Sequence, residues 1–268
     1  MATGRVRVER PAAQVAELVV DRPPLNVLDE TVQAELTGVL RDLHEAGDVR
    51  CLLVRGEGTT AFSVGADVKA LYGATDPDPW LGVDLSGHWT RLLESFPGLT
   101  VSCVRGHCLG GGLELALCTD VRIASPDARF GFPEVRLGLV PGMGGTARLP
   151  RVVGESWAKR MIMTGAPVST EQAVQIGLVQ QIAADPRAAG LELARSCLSA
   201  APLAQQAARA LISRPADPDA LRAERDAWSR LFASRDGQEG IAAFVGKRAA
   251  VFVGNNPPPT GPAGGAQE

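Results

Sequence analysis

From Arg5 to Ile182, short apolar runs of strand length alternate with stretches of helical period, and this alternation restricts the fold more than any other feature. Cys51–Val54 is an apolar run that reads as a buried strand, and Val101–Val104 and Val121–Ala124 read as further strands. Between them lie helical signals. After Asp29, a candidate N-cap, apolar residues recur at Val32, Leu36, Val39, Leu40 and Leu43 until Gly47 closes the segment. A second helix is expected over Ser86–Phe96 and a third over Leu113–Cys118. Two strands, Arg5–Glu9 and Gln14–Asp21, form an opening hairpin. Ser169 with Gln172 makes a capping box for a short helix ending near Gly177, and Leu178–Ile182 reads as the last strand. The fold class is α/β.

The texture changes after Pro186. Residues 187–254 are rich in Ala, Leu, Arg and Gln at helical spacing and form a helical C-terminal region following a core of residues 1–186. Their apolar faces, which include Leu203, Leu211, Ile212, Trp228, Leu231, Phe232 and Phe244, exceed what one small bundle hides, so they are expected to pack on the core or on another subunit. Residues 255–268 are Pro- and Gly-rich and are expected to form a disordered tail.

Bulk properties exclude several partners. A net charge of −3 provides no general field for nucleic acid or an anionic membrane. No stretch reaches the roughly 18 apolar residues a membrane span needs, and Met1–Arg10 lacks an apolar signal core. Five cysteines (Cys51, Cys103, Cys108, Cys118, Cys197), odd in number and without a C-x-x-C pair, read as reduced thiols and place the protein in the cytoplasm.

Three glycine-dense segments precede helical sequence: Phe62–Leu71, Arg105–Cys118 and Pro141–Leu149. A glycine bend entering a helix leaves backbone N–H groups unpaired and aims the positive end of the helix dipole at whatever occupies the bend. Such a bend suits a developing oxyanion. Taken singly, each is equally consistent with a plain turn. Gly142-Met-Gly144-Gly-Thr-Ala147 matches the dinucleotide fingerprint in letters, but Pro141 interrupts the turn and no following strand ends in an acid. There is no G-x-S-x-G elbow and no P-loop, and His44, His88 and His107 are too scattered for a local metal motif; His107 is expected to be a packed core residue.

Two carboxylates stand in apolar company. Glu114 occupies the first turn of an otherwise apolar helix, and Glu134 follows Phe130-Gly-Phe-Pro. Burial disfavours the charged form and raises a carboxyl pKa, fitting one group for base and another for acid chemistry near neutrality. The simpler alternatives are a helix-start acid stabilised by the dipole for Glu114 and an exposed loop acid for Glu134.

Taken together, Ala61–Lys69 (AFSVGADVK), Gly106–Glu114 (GHCLGGGLE), Phe130–Glu134 (FGFPE), Val140–Arg151 (VPGMGGTARLPR), Ala173–Val179 (AVQIGLV) and Glu239–Phe252 (EGIAAFVGKRAAVF) resemble the crotonase superfamily, the enoyl-CoA hydratase/isomerase family. The resemblance runs from about Val15 to Phe252 and implies a spiral of ββα units with a helical C-terminal oligomerisation region, assembled as a homotrimer or homohexamer. It implies an acyl-coenzyme A thioester as substrate, with no tightly bound cofactor and no metal. The amides of Ala66 and Gly111 would form an oxyanion hole; Ala66, Asp67, Val68, Lys69, Gly111 and Gly142 would bind substrate; Lys247 or Arg248 would reach a coenzyme A phosphate. Glu114 and Glu134 match the glutamate pair of the family's hydratases, which implies hydration of a trans-2-enoyl thioester. Double-bond isomerisation, another reaction of the family such as retro-Claisen cleavage, and a silent acyl-CoA binder are the alternatives. Phe132, often glutamine in the family's mitochondrial hydratases, is a departure, as are Arg105 and His107.

Overall fold

A computed structural model of the protein describes residues 5–68, 88–212 and 218–254. The chain divides into two compact units, Met1–Ala194 and Arg195–Glu268. The first begins with the expected hairpin, β1 (Val6–Ala12) paired antiparallel with β2 (Val15–Val20). β1 runs past Glu9 to Ala12 because its register shifts between those residues, which accommodates Pro11.

β2 continues into a parallel array with β3 (Cys51–Gly56), β5 (Leu99–Val104), β7 (Val121–Ala124) and β10 (Gln181–Ile182), giving among the described residues a six-stranded sheet in the order β1-β2-β3-β5-β7-β10. Its strands alternate between two apolar faces. Ala16, Leu18, Val20, Leu52, Val54 and Val104 join the main core. Leu53 and Cys103 point the other way, under the helix Pro186–Leu198, where a Cβ on Gly190 would meet Cys103 Sγ at 2.8 Å. On that same face the fully buried Glu17 takes Arg187 through both carboxylate oxygens (2.8 and 2.9 Å) and Arg55 at 3.1 Å.

A second, smaller sheet was not legible as strands in the sequence. It runs β4 (Ala61–Ser63), β6 (His107–Leu109), β8 (Arg129–Gly131) and β9 (Val168–Ser169), with the first three parallel and β9 antiparallel. Each turn of the spiral therefore lays one strand in each sheet: β3 then β4, β5 then β6, β7 then β8.

The helices follow local rules. Asp29 caps Glu30–Ala46 by accepting from Val32 N at 2.9 Å, and Gly47 ends it in the left-handed region at φ 61°. His88 caps Trp89–Glu94 and Ser95 closes it, so the helix is shorter than the expected Ser86–Phe96. Ser169 accepts from Gln172 N and starts Thr170–Gln175. The expected strand at Leu178 begins only at Gln181. Leu178 and Val179 donate back to Ala173 O, and the Leu178 carbonyl is taken by the buried Arg122 guanidinium at 2.5 Å, so neither residue has ladder bonds to give.

The second unit is helical, as expected: Pro202–Ile212, Pro218–Phe232 and Arg235–Val245. Asp236, buried, accepts from Val253 N and Gly254 N and fastens the segment after the last helix. Trp228 stacks on Phe232 with centroids 5.1 Å apart, and both are exposed within the chain, as are Ile212 and Phe244. The expected tail beyond Asn255 lies outside the described residues. Among the described residues no helix is long and apolar enough to cross a membrane.

Candidate active site

Three strands of the small sheet end at one place. Because β4, β6 and β8 are parallel, their carboxyl ends share an edge, and the loops that follow carry Val64-Gly65-Ala66, Gly110-Gly111 and Phe132-Pro133-Glu134. Hydrogen bonds fix the first two loops: Gly65 O accepts from Leu28 N at 2.8 Å, Gly65 N donates to Ser63 Oγ at 3.1 Å, and Gly110 N donates to Gly131 O at 2.9 Å.

The first two loops touch. Gly65 has φ +80°, and a Cβ there would fall 2.4 Å from Gly111 N. Gly111 opens the helix Gly111–Leu117, whose first amides have no intrahelical acceptor. Among the described residues neither the Gly111 nor the Ala66 amide has a backbone acceptor, and Gly65, which precedes Ala66, is the residue that meets Gly111.

Glu114, on the first turn of that helix, is 1% exposed. Its Oε1 accepts from both Met143 N and Gly145 N, each at 2.7 Å. Burial raises its pKa, opposed by those two amides and by the charge of Arg148. The glycine bend Pro141–Gly145 does cradle an anion, and the anion is the protein's own carboxylate.

Glu134 is not an exposed loop acid. It lies half-buried in the 3₁₀ turn Pro133–Leu137, capped by Gly138 at φ 75°. Its Oε1 sits over Gly110, 3.1 Å from where a Cβ would be, and its Oε2 is buried without a partner among the described residues. Burial pushes its pKa up to about 7; a bond to its own backbone amide opposes this, and the charge of Glu114 adds to it. The site thus holds two carboxyls in unlike settings, one anchored by two donors and one with an oxygen unengaged among the described residues.

The remaining expected residues are placed unevenly. Ala66 and Asp67 are half-buried, Val68 is exposed, and Lys69 lies outside the described residues. Gly142 is exposed in the loop that holds Glu114. Arg248 is engaged by Glu239 through both guanidinium ends at 2.6 and 2.8 Å, and Lys247 is exposed with φ 51°. His107 is not packed in the core: it stands on β6 with its side chain exposed, since only Cys108 of that strand turns fully inward. The Phe132 ring is fully buried and lies against Gly145, where a Cβ would meet it at 2.8 Å.

Sequence reasoning missed Met143, Gly145 and Arg148. Arg148 donates to Met143 O and to Glu94 Oε1, each at 2.6 Å, and its guanidinium crosses Gly144, which has φ +104°. The Gly144-Gly145 pair before a helix was the available signal, but nothing local says which anion fills it.

The profile of the enoyl-CoA hydratase/isomerase family matches residues 10–255. A protein of Bacillus subtilis described as a probable enoyl-CoA hydratase is 36% identical over 250 residues, covering 90% of this chain and 95% of the relative. The crotonyl-CoA hydratase of Syntrophomonas wolfei is 34% identical over 246 residues, with the same two coverages. Among solved structures, the enoyl-CoA hydratase of Bacillus anthracis superposes with a TM-score of 0.88 at 30% identity, over 94% of this chain and all of the other. Pseudomonas aeruginosa DspI superposes at 0.86 with 33% identity, over 94% and 97%. With two sheets wound into a spiral, a helical C-terminal unit and a family match spanning nearly its whole length, this chain belongs to the enoyl-CoA hydratase/isomerase family of the crotonase superfamily.

Proposed function

We propose that the protein hydrates a trans-2-enoyl-coenzyme A to the 3-hydroxyacyl thioester, with Glu114 as base and Glu134 as acid. One observation carries this reading: two buried or half-buried carboxyls of unlike environment stand at the loops where Gly65 meets Gly111, whose amide, like that of Ala66, has no backbone acceptor among the described residues. The thioester oxygen accepts from Ala66 N and Gly111 N, so charge developing there as water adds is met by donors already in position. Glu114, steadied through Oε1, uses Oε2 to take a proton from the water that attacks C3. Glu134, neutral up to about pH 7, delivers its proton from Oε2 to C2. One water is consumed, and a proton passing from Glu114 to Glu134 through solvent restores both groups.

Ala66, Asp67, Val68, Lys69, Gly111 and Gly142 line the thioester and coenzyme A groove in this reading, and Lys247 supplies charge to a phosphate. No tightly bound cofactor takes part. The exposed Trp228, Phe232 and Phe244 are buried on neighbouring copies in a trimer or hexamer, which sedimentation tests directly. Incubation with crotonyl-CoA tests the reaction: the conjugated thioester absorbance is lost and the product gains one water. A product of unchanged mass would instead assign double-bond isomerisation.

A further inference from the structure

The loop Met143-Gly144-Gly145 is gripped from two sides. From one side, Glu114 Oε1 accepts the amides of Met143 and Gly145 at 2.7 Å each. From the other, Arg148, one turn into the helix Gly145–Val153, reaches back to donate to Met143 O at 2.6 Å. The same guanidinium is held by Glu94 Oε1 at 2.6 Å, from the helix Trp89–Glu94. Its side chain is only 13% exposed. Gly144 has to be glycine, because its φ of +104° is left-handed and a Cβ would sit 1.9 Å from Arg148 Nη1. Guanidinium, loop and carboxylate are therefore packed as one block, with Arg148 at the far end from the reacting atoms.

We propose that Arg148 is a positioning residue for Glu114: it pins the Met143–Gly145 loop so that one carboxylate oxygen is fully engaged and the other is left for substrate. The inference rests on the hydratase reading above and adds to it a residue that acts through Glu114, not on the substrate. A guanidinium suits the task because its planar fork serves the Met143 carbonyl and the Glu94 carboxylate together, which a lysine point charge cannot do with both fixed. The charged and titratable groups facing Arg148 are Glu114 and Cys118 from the helix Gly111–Leu117 side, Glu94 from Trp89–Glu94, and His88 at the N-cap of that helix. Arg148 opposes the upward push of burial on Glu114, and it is the charged group acting on Glu114 in that direction.

Three consequences separate positioning from a merely structural role. Misplacing Glu114 lowers kcat, roughly 10- to 100-fold, while KM for the thioester stays within about twofold, since Ala66, Asp67, Val68 and Gly111 lie outside the loop that Arg148 pins. In Arg148→Met the loss of the cation raises the Glu114 pKa, so the acid limb of the kcat profile moves to higher pH. In Arg148→Lys the charge remains, so the limb stays in place while kcat still falls, because one of the two fixed bonds is lost.

The test is steady-state kinetics on crotonyl-CoA from pH 5 to 9 for the wild type and both variants, with circular dichroism to confirm folding and ¹³C NMR titration of the Glu114 carboxyl. Wild-type kcat in folded Arg148→Lys, or a rise in KM with kcat held, overturns the proposal. So does a Glu114 titration unmoved in Arg148→Met. If Arg148→Met does not fold, kcat and KM of Arg148→Lys decide by themselves. A wild-type protein that leaves the thioester unchanged sinks the hydratase reading, and the carboxyl titration then still decides whether Arg148 governs Glu114.

Discussion

Gly65 and Gly111 approach so closely that a methyl group added to the first would lie 2.4 Å from the amide nitrogen of the second. That contact joins the end of β4 to the start of the Glu114 helix, the two segments that carry the proposed oxyanion donors. Gly65→Ala is expected to fail twice over. The φ of +80° strains any side chain by about 1–3 kcal/mol, and the methyl intrudes on the donor that the thioester oxygen needs. Thermal unfolding should show the stability loss. Hydration should fall by at least the roughly 10²- to 10³-fold that losing one such donor costs.

Glu114 separates a structural from a chemical duty at one position. Glu114→Gln keeps a carbonyl oxygen to accept from Met143 N and Gly145 N, so its stability by urea unfolding should stay within about 1 kcal/mol of wild type. Glu114→Ala leaves two amides without an acceptor and should cost about 1–3 kcal/mol for each. Both should lose hydration. Equal stability of the two variants would contradict the clamp.

Glu134 makes stability depend on pH in a fixed direction. Its pKa rises from 4.5 to about 7 on folding, so the folded protein favours its neutral form. The contribution of that neutral form is complete below about pH 4.5 and is lost as the pH climbs through 7. Glu134→Gln removes this loss. The variant should melt above the wild type at pH 8, with the advantage gone by pH 4, while its hydration rate falls roughly 10²- to 10⁴-fold. A melting advantage that grows on acidification would have the wrong sign.

On the far face of the large sheet, Glu17 ties the helix Pro186–Leu198 to β2 through Arg187 and reaches Arg55 on β3. Removing one member of a buried ion pair typically costs about 3–5 kcal/mol, because the remaining charges lose their partner. Arg55 keeps Glu9 and Glu57, and Arg187 is 42% exposed, so Glu17→Ala should fall at the low end of that range. Chemical denaturation measures the loss. The folded fraction should keep wild-type kcat, since none of these groups reaches the glutamate pair.

Much of this was legible in the sequence, for physical reasons that also mark where legibility ended. The large sheet and the helix Glu30–Ala46 announce themselves because apolar runs and caps are local signals, as at Cys51–Val54 and at Asp29 with Gly47. The small sheet does not, because three residues such as Ala61–Ser63 or His107–Leu109 are too few to show a period. That sheet aligns the three loops, so the glycine bends were readable as bends and their convergence was not. Glu114 was marked by its apolar helix. Its partners, the Met143 and Gly145 amides 29 and 31 positions away, could be found only once the chain was folded. His107 was misread because a glycine neighbour says nothing about which side of a three-residue strand faces the solvent.

The most direct measurement is the rate of crotonyl-CoA hydration by wild type, Glu114→Gln, Glu134→Gln and the double variant, each shown to be folded. Expected is a loss of about 10²-fold or more in either single variant, with the double variant losing far less than the product of the two, because the carboxyls act as a unit. Wild-type turnover in either single variant would contradict the assignment of water activation and proton delivery to this pair.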